Sequence, residues 1–293
     1  MANAINLKNI PTYVDESKEE LIAKTVLGGK SQGMFNLMTG VTGATALHLL
    51  DTELVLQDGG VCGFNAEGKQ NISQRVLTPA ILKVNMEYCE KTLLNTYAAH
   101  NLKVAAGRET LPYEEKFIGD VVANVNASVE KMIYQGDKDN GAEFDGLIKI
   151  LNADGAIKVN RASTVYETIK DVYANMPETV ITKGDATILV SPADFRAFIQ
   201  ELVAANLYHF NPSDASGEYM LPGTDVKVVM VNGLSGTQNI IGASLENIYV
   251  GVDMAGDEEV YDFWYSKDDR VFKLAIEFAM GIQVAYPDEV VIA

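Results

Sequence analysis

The spacing of apolar positions changes several times along this chain, and each change marks an element. Between Ser17 and Leu27, Leu21, Ile22 and Val26 recur at near-helical spacing behind Glu19 and Glu20, which predicts an amphipathic helix ended by Gly28, Gly29 and Gly33. It reads as an arm that needs a partner surface. From Ala46 to Asp58 and again from Ile72 to Glu87 the composition favours strands, and Gly59, Gly60, Gly63 and Gly68 lie between them with Asn65 and Asn71. This predicts a long two-stranded ribbon with a flexible tip. Pro79 in the return strand cannot donate to a ladder, so it belongs on an edge or at a bulge. A ribbon of this length buries little by itself and needs outside support.

The clearest helical pattern runs from Leu111 to Tyr134: Pro112, Glu114 and Glu115 suit a first turn, and Phe117, Val121, Val125, Val129, Met132 and Ile133 form one stripe. Gln135-Gly136-Asp137 ends it. An α/β region follows. Thr164 with Glu167 makes a capping-box pattern, Val165, Ile169, Val172 and Met176 give a stripe, and Pro177 closes the helix. After a strand over Ala186 to Val190, Ser191-Pro192 opens a helix with Phe195, Phe198, Ile199, Leu202 and Val203 inward. Strands Val226 to Val231 and Ile248 to Val252 complete a sheet-and-helix lobe. The last strands, Val260 to Tyr265, Val271 to Phe278 and Ile282 to Tyr286, must return to the first lobe.

Composition narrows the function. The 293 residues leave room for about two lobes, and 23 Lys plus Arg against 40 Asp plus Glu give a net charge of −17. Basic residues are scattered singly from Lys8 to Lys273, so the surface repels phosphates and sequence-specific DNA reading is not expected. No apolar run approaches the ~18 residues of a membrane span. Met1 to Tyr13 also lacks a secretion signal, so the chain is expected in the cytoplasm. Cys62 and Cys89 imply no disulfide framework, and without secretion the sequons at Asn71 and Asn126 are chance matches.

Candidate chemistry is sparse. Gly29-Lys30-Ser31 looks like the end of a phosphate loop, but Lys24 stands where its first glycine belongs. Asp137-Lys138-Asp139-Asn140-Gly141 has the start of a calcium loop without its later ligands, so a helix-ending turn is expected. Asp253, Asp257, Glu258, Glu259, Asp262, Asp268 and Asp269 form the densest acidic stretch, expected to be a solvated face. His48, His100 and His209 lie in different elements outside any ligand or nucleophile motif. Trp264, between Phe263 and Tyr265, is expected inside its own core, with an interface anchor as the alternative. No catalytic, cofactor-binding or metal site is expected, and no enzymatic activity.

This order of elements resembles the major capsid protein of tailed bacteriophages with the Hong Kong 97-type fold. The wording that carries the resemblance is Leu111-Pro112-Tyr113-Glu114-Glu115, Gln135-Gly136-Asp137, Phe144-Asp145-Gly146-Leu147, Asp185 to Pro192, and the ending from Tyr249 to Pro287. The resemblance implies an α+β fold with an N-terminal arm at 1–33, an extended β-hairpin loop at 47–84, and an axial α/β domain at 141–254. The peripheral domain, with its long spine helix, would take 34–46, 85–140 and 255–293. It also implies self-assembly into the hexamers and pentamers of an icosahedral head in the virion, built in the host bacterial cytoplasm. Portal, scaffold and decoration proteins are the implied partners, with packaged DNA touched non-specifically and no membrane. Some members of the family crosslink a ribbon lysine; Lys69 stands near the tip, but no matching asparagine or glutamate is found, so no crosslink is expected. Two other readings stay open: an encapsulin-type cargo shell of the same fold, and a cytoplasmic α/β enzyme holding a metal around Asp257.

Overall fold

The computed structural model describes residues 9–17, 20–21, 24–25, 28–57, 67–105, 113–141, 143–207, 217–253 and 260–293. Its first sheet is organised by β12 (Val271–Val284), where Phe272, Leu274, Ile276, Phe278 and Met280 are buried and the residues between them are not. That period of two turns one face of the strand inward. β4 (Ala80–Cys89) pairs antiparallel with Val271–Met280 of β12. On the opposite edge lie β11 (Val260–Ser266) and then β10 (Ile248–Asp253), both antiparallel, with β1 (Asn36–Thr39) parallel to β10. Against the inner face packs α3 (Tyr113–Gln135), which buries Ile118, Val121, Val122, Val125, Val129 and Ile133. Its 23 residues span about 35 Å at 1.5 Å per residue.

The second sheet has the order β5-β13-β9-β6-β8-β7, formed by Ile157–Lys158, Val291–Ile292, Ile241–Ser244, Ala186–Val190, Lys227–Met230 and Glu218–Met220. Every residue of β6 is buried. Beside it lie α5 (Val165–Ala174), α6 (Glu178–Lys183) and α7 (Pro192–Ala204). The Thr164 side chain caps α5 by accepting from Glu167 N, and the Ser191 hydroxyl caps α7 by accepting from Asp194 N at 3.1 Å. Glu201 of α7 accepts the Val165 and Tyr166 N–H groups at 3.1 and 2.6 Å, which locks the two helices together. α4 (Leu147–Ala153) packs on α3 and β12.

Several expectations are corrected. The return strand from Ile72 to Glu87 is two strands: β3 (Lys69–Leu77) pairs with β2 (Thr45–Glu53) in the ribbon, and β4 belongs to the first sheet. Pro79 falls between them, where no ladder donor is needed. Ile248 to Val252 joins the first sheet through β12, not the second lobe. Val271 to Phe278 and Ile282 to Val284 belong to one 14-residue strand, β12, which runs through Gly281; a side chain there would collide with Thr78 O and the Pro79 backbone. Val203 is 56% exposed, one step round α7 from the buried Leu202. Four helices among the described residues were not foreseen: α1 (Asn9–Glu16), which buries Ile10 and Val14, α2 (Glu90–Ala105), and the short α4 and α6. The final strand, β13, pairs with β5 and β9, so the chain ends in the second sheet.

Candidate assembly surfaces

The ribbon carries apolar residues that its own chain does not cover. In its register Leu50 faces Ile72 and Ala46 faces Val76, on one side with His48 and Gln74. Leu50, Ile72 and Val76 are 57%, 73% and 46% exposed, while Leu47 and Leu77 on the other side are buried. Beyond β2, Leu54 and Leu56 are 83% and 99% exposed. A run of this kind marks a surface awaiting a partner. Lys69, opposite Glu53, is exposed where the described tip begins. The base is held firmly: the Arg75 guanidinium binds Asp154 and donates to Gln283 Oε1 at 3.1 Å, and Gln283 Nε2 donates to Val76 O at 2.9 Å.

The arm is fixed by a buried polar chain. Tyr134 OH donates to Ser31 Oγ at 2.9 Å, and Ser31 donates to the Glu130 carboxylate at 3.0 Å. Glu130 is 5% exposed and Gln32 2% exposed. Burial pushes the Tyr134 phenol well above its usual range. Lys30 donates to Met230 O at 3.2 Å and lies 3.8 Å from Glu218. The Gly-Lys-Ser stretch thus reaches both the α3 helix and the second sheet.

The loop that resembled a calcium site closes on a side chain of the protein. The Lys149 ammonium of α4 meets Asp137 Oδ1, Asp139 Oδ2 and Asp145 Oδ1 at 2.5, 2.6 and 2.8 Å. Lys149 holds the Asp137 and Asp145 carboxyls below the usual range, and they raise its own value. Asp137 accepts from Asp139 N at 3.1 Å, the expected helix-ending turn. Sequence spacing showed the aspartates but not the cation, which comes from another helix.

The remaining candidates do not converge. Asp257, Glu258, Glu259, His209 and Cys62 lie outside the described residues. Asp253 is buried, and Asp269 receives Lys273 at 2.5 Å. Among the described residues no three or more His, Cys, Asp and Glu are grouped to hold a metal ion, and no helix is long and apolar enough to cross a membrane. His100 is buried with its ring against Tyr113, His48 is exposed on the ribbon, and Cys89 is exposed. Trp264 is 45% exposed, contrary to the interior place expected. The alternation of β11 turns Tyr261 and Phe263 inward and leaves Trp264 outward beside Lys273.

Comparison with solved structures gives matches over nearly the whole chain. A chain of the satellite phage P4 procapsid including size determination (Sid) protein aligns with TM-score 0.63 and 8% identity, over 97% of this chain and 95% of that one. The capsid of Myoviridae phage XM1 gives 0.57 and 12%, covering 89% of each chain. A virus-like particle from Pyrococcus furiosus gives 0.56 and 11%, over 94% of this chain and 98% of the other. No protein-family model and no curated protein matches the sequence. With the ribbon, the long helix and the two sheets in the order described, the chain has the Hong Kong 97-type capsid fold of tailed-phage major capsid proteins.

Proposed function

We propose that this chain is the major capsid subunit of a tailed-phage head, acting by self-assembly into hexamers and pentamers around double-stranded DNA. The observation that carries this reading is the projecting ribbon, whose Leu50, Ile72, Leu54 and Leu56 are uncovered in the single chain. Neighbouring subunits supply the missing cover, and many modest contacts per subunit add by avidity. The reading includes no catalytic step, no cofactor and no Lys69 crosslink. Portal, scaffold and decoration proteins are its further partners, and the host cytoplasm is the place of assembly. The net charge of −17 suits an inner wall that packs DNA without adhering to it.

A second reading, an encapsulin-type cargo shell, is favoured by the likeness to the Pyrococcus furiosus virus-like particle. Negative-stain microscopy and sedimentation of the chain expressed alone test both. Closed shells, tubes or capsomer rings are expected, whereas a stable monomer at high concentration would overturn them. Protein cargo enclosed without nucleic acid would select the second. Empty shells are also expected not to bind duplex DNA at moderate salt.

A further inference from the structure

The ten-residue strand β4 has an open edge. It pairs with β12 from Ala80–Met280 to Cys89–Val271 and, among the described residues, with no other strand. Its residues Ile81, Lys83, Asn85, Met86, Glu87 and Cys89 are all exposed. A long edge of this kind is a template for another strand, and a folded chain either guards it or uses it.

The sequence of β4 is complementary to itself. Laid antiparallel on a second copy with Asn85 facing Asn85, Lys83 comes opposite Glu87 of the second copy, and Glu87 opposite Lys83 of the second copy. Residues of equal parity meet, so the faces match: Leu82 meets Tyr88 and Val84 meets Met86 on the inward side, and Ile81 meets Cys89 on the outward side. A slip by one residue would set Lys83 against Met86 and turn inward positions outward. A slip by two would set it against Asn85 or Cys89. Only the register centred on Asn85 pairs the charges.

The neighbouring strand extends the pattern. Within one subunit Lys83 lies 3.1 Å from Glu277, and Lys273 lies 3.8 Å from Glu87. Across the junction the row would read Glu277, Lys83, then Glu87 and Lys273 of the second copy, alternating in sign throughout. The two-fold axis repeats it in reverse, as an isologous contact requires.

We propose that β4 is a homotypic docking strand that pairs with β4 of a second copy across a local two-fold axis, fusing two five-stranded sheets into one. This rests on the self-assembly reading, and the test separates the two. Particles are assembled from a chain carrying Asn85→Cys with Cys62→Ser and Cys89→Ser, oxidised, and run on a denaturing gel without reductant. Cα atoms directly opposite in an antiparallel pair stand about 4.5–5.5 Å apart, within disulfide reach. A two-chain band is expected for Asn85→Cys, and none for Lys83→Cys in the same background. Lys83→Glu and Glu87→Lys are each expected to slow assembly roughly tenfold, and together to restore much of it. The double variant places like charges against Glu277 and Lys273 inside each subunit, so recovery can come only from contact between copies. Particles that form without the Asn85→Cys dimer, or without recovery in the double variant, overturn the docking strand and make Lys83 a guard of the edge. Absence of particles from the unsubstituted chain overturns the capsid reading instead.

Discussion

At Gly233 the structure has no space for even a methyl group: a Cβ there would stand 2.5 Å from Glu130 O and closer still to Cδ2 of the Tyr134 ring. Gly233→Ala is expected to destabilise the subunit by about 1–3 kcal/mol in denaturant unfolding. Unchanged stability would mean that the 232–234 turn does not rest on α3 as described. Residue-level features were legible in the sequence where they are local. Thr164 and Ser191 cap their helices through partners three residues away, so spacing alone revealed the Thr164 cap and the helix start at Ser191-Pro192. Ser31 bonds Glu130 across 99 positions, and nothing in either neighbourhood announces the other. The same distance hid Arg75 with Asp154, 79 positions apart.

Among elements, the legible ones carry their own pattern. The long stripe of α3 is readable because four of its residues, Val121, Val125, Val129 and Ile133, repeat at helical spacing and are all buried. α2 escaped because, over residues 91–101, only Leu93 and His100 are buried, too few for a stripe. The ribbon was overextended because an exposed hairpin strand and an edge strand of a sheet share one composition, and only pairing separates them. Its anchorage is testable. Arg75→Ala should raise hydrogen exchange in β2 and β3 while β12 keeps its protection; equal protection before and after would show that the guanidinium does not hold the base. The Lys149 clasp sets a pH dependence. Asp137 and Asp145 have lowered values in the folded chain. Their contribution is therefore complete above the ordinary carboxylate range, about pH 4, and is lost as pH falls through the lowered values. In Lys149→Met both carboxyls should titrate near the ordinary value by NMR, and values that stay low would assign the depression to another partner.

For the whole molecule, the order of elements was legible and their distribution between sheets was not. Strand order depends on non-local pairing: β10, β12 and β13 follow one another in sequence, yet the first two build one sheet and the third another. Assembly is likewise a property of surfaces rather than motifs. Leu54→Asp with Leu56→Asp should leave the circular dichroism of the subunit unchanged, since both side chains are exposed, and abolish closed particles in the microscope. Particles at the original yield would remove the ribbon tip from the contact.

The place of β13 has a consequence for timing during synthesis. It is inserted between β5 and β9, and its partner Ile157 in β5 precedes Val291 by 134 positions. At ribosomal rates of about 5–20 residues per second, β5 waits on the order of ten seconds for the strand that joins it to its sheet. During that interval the nascent second lobe presents an unfilled gap, so newly made chains are kept from acquiring their final shape until residue 292 has emerged. On the proposed capsid reading, shell closure would be confined to molecules whose translation has passed that point.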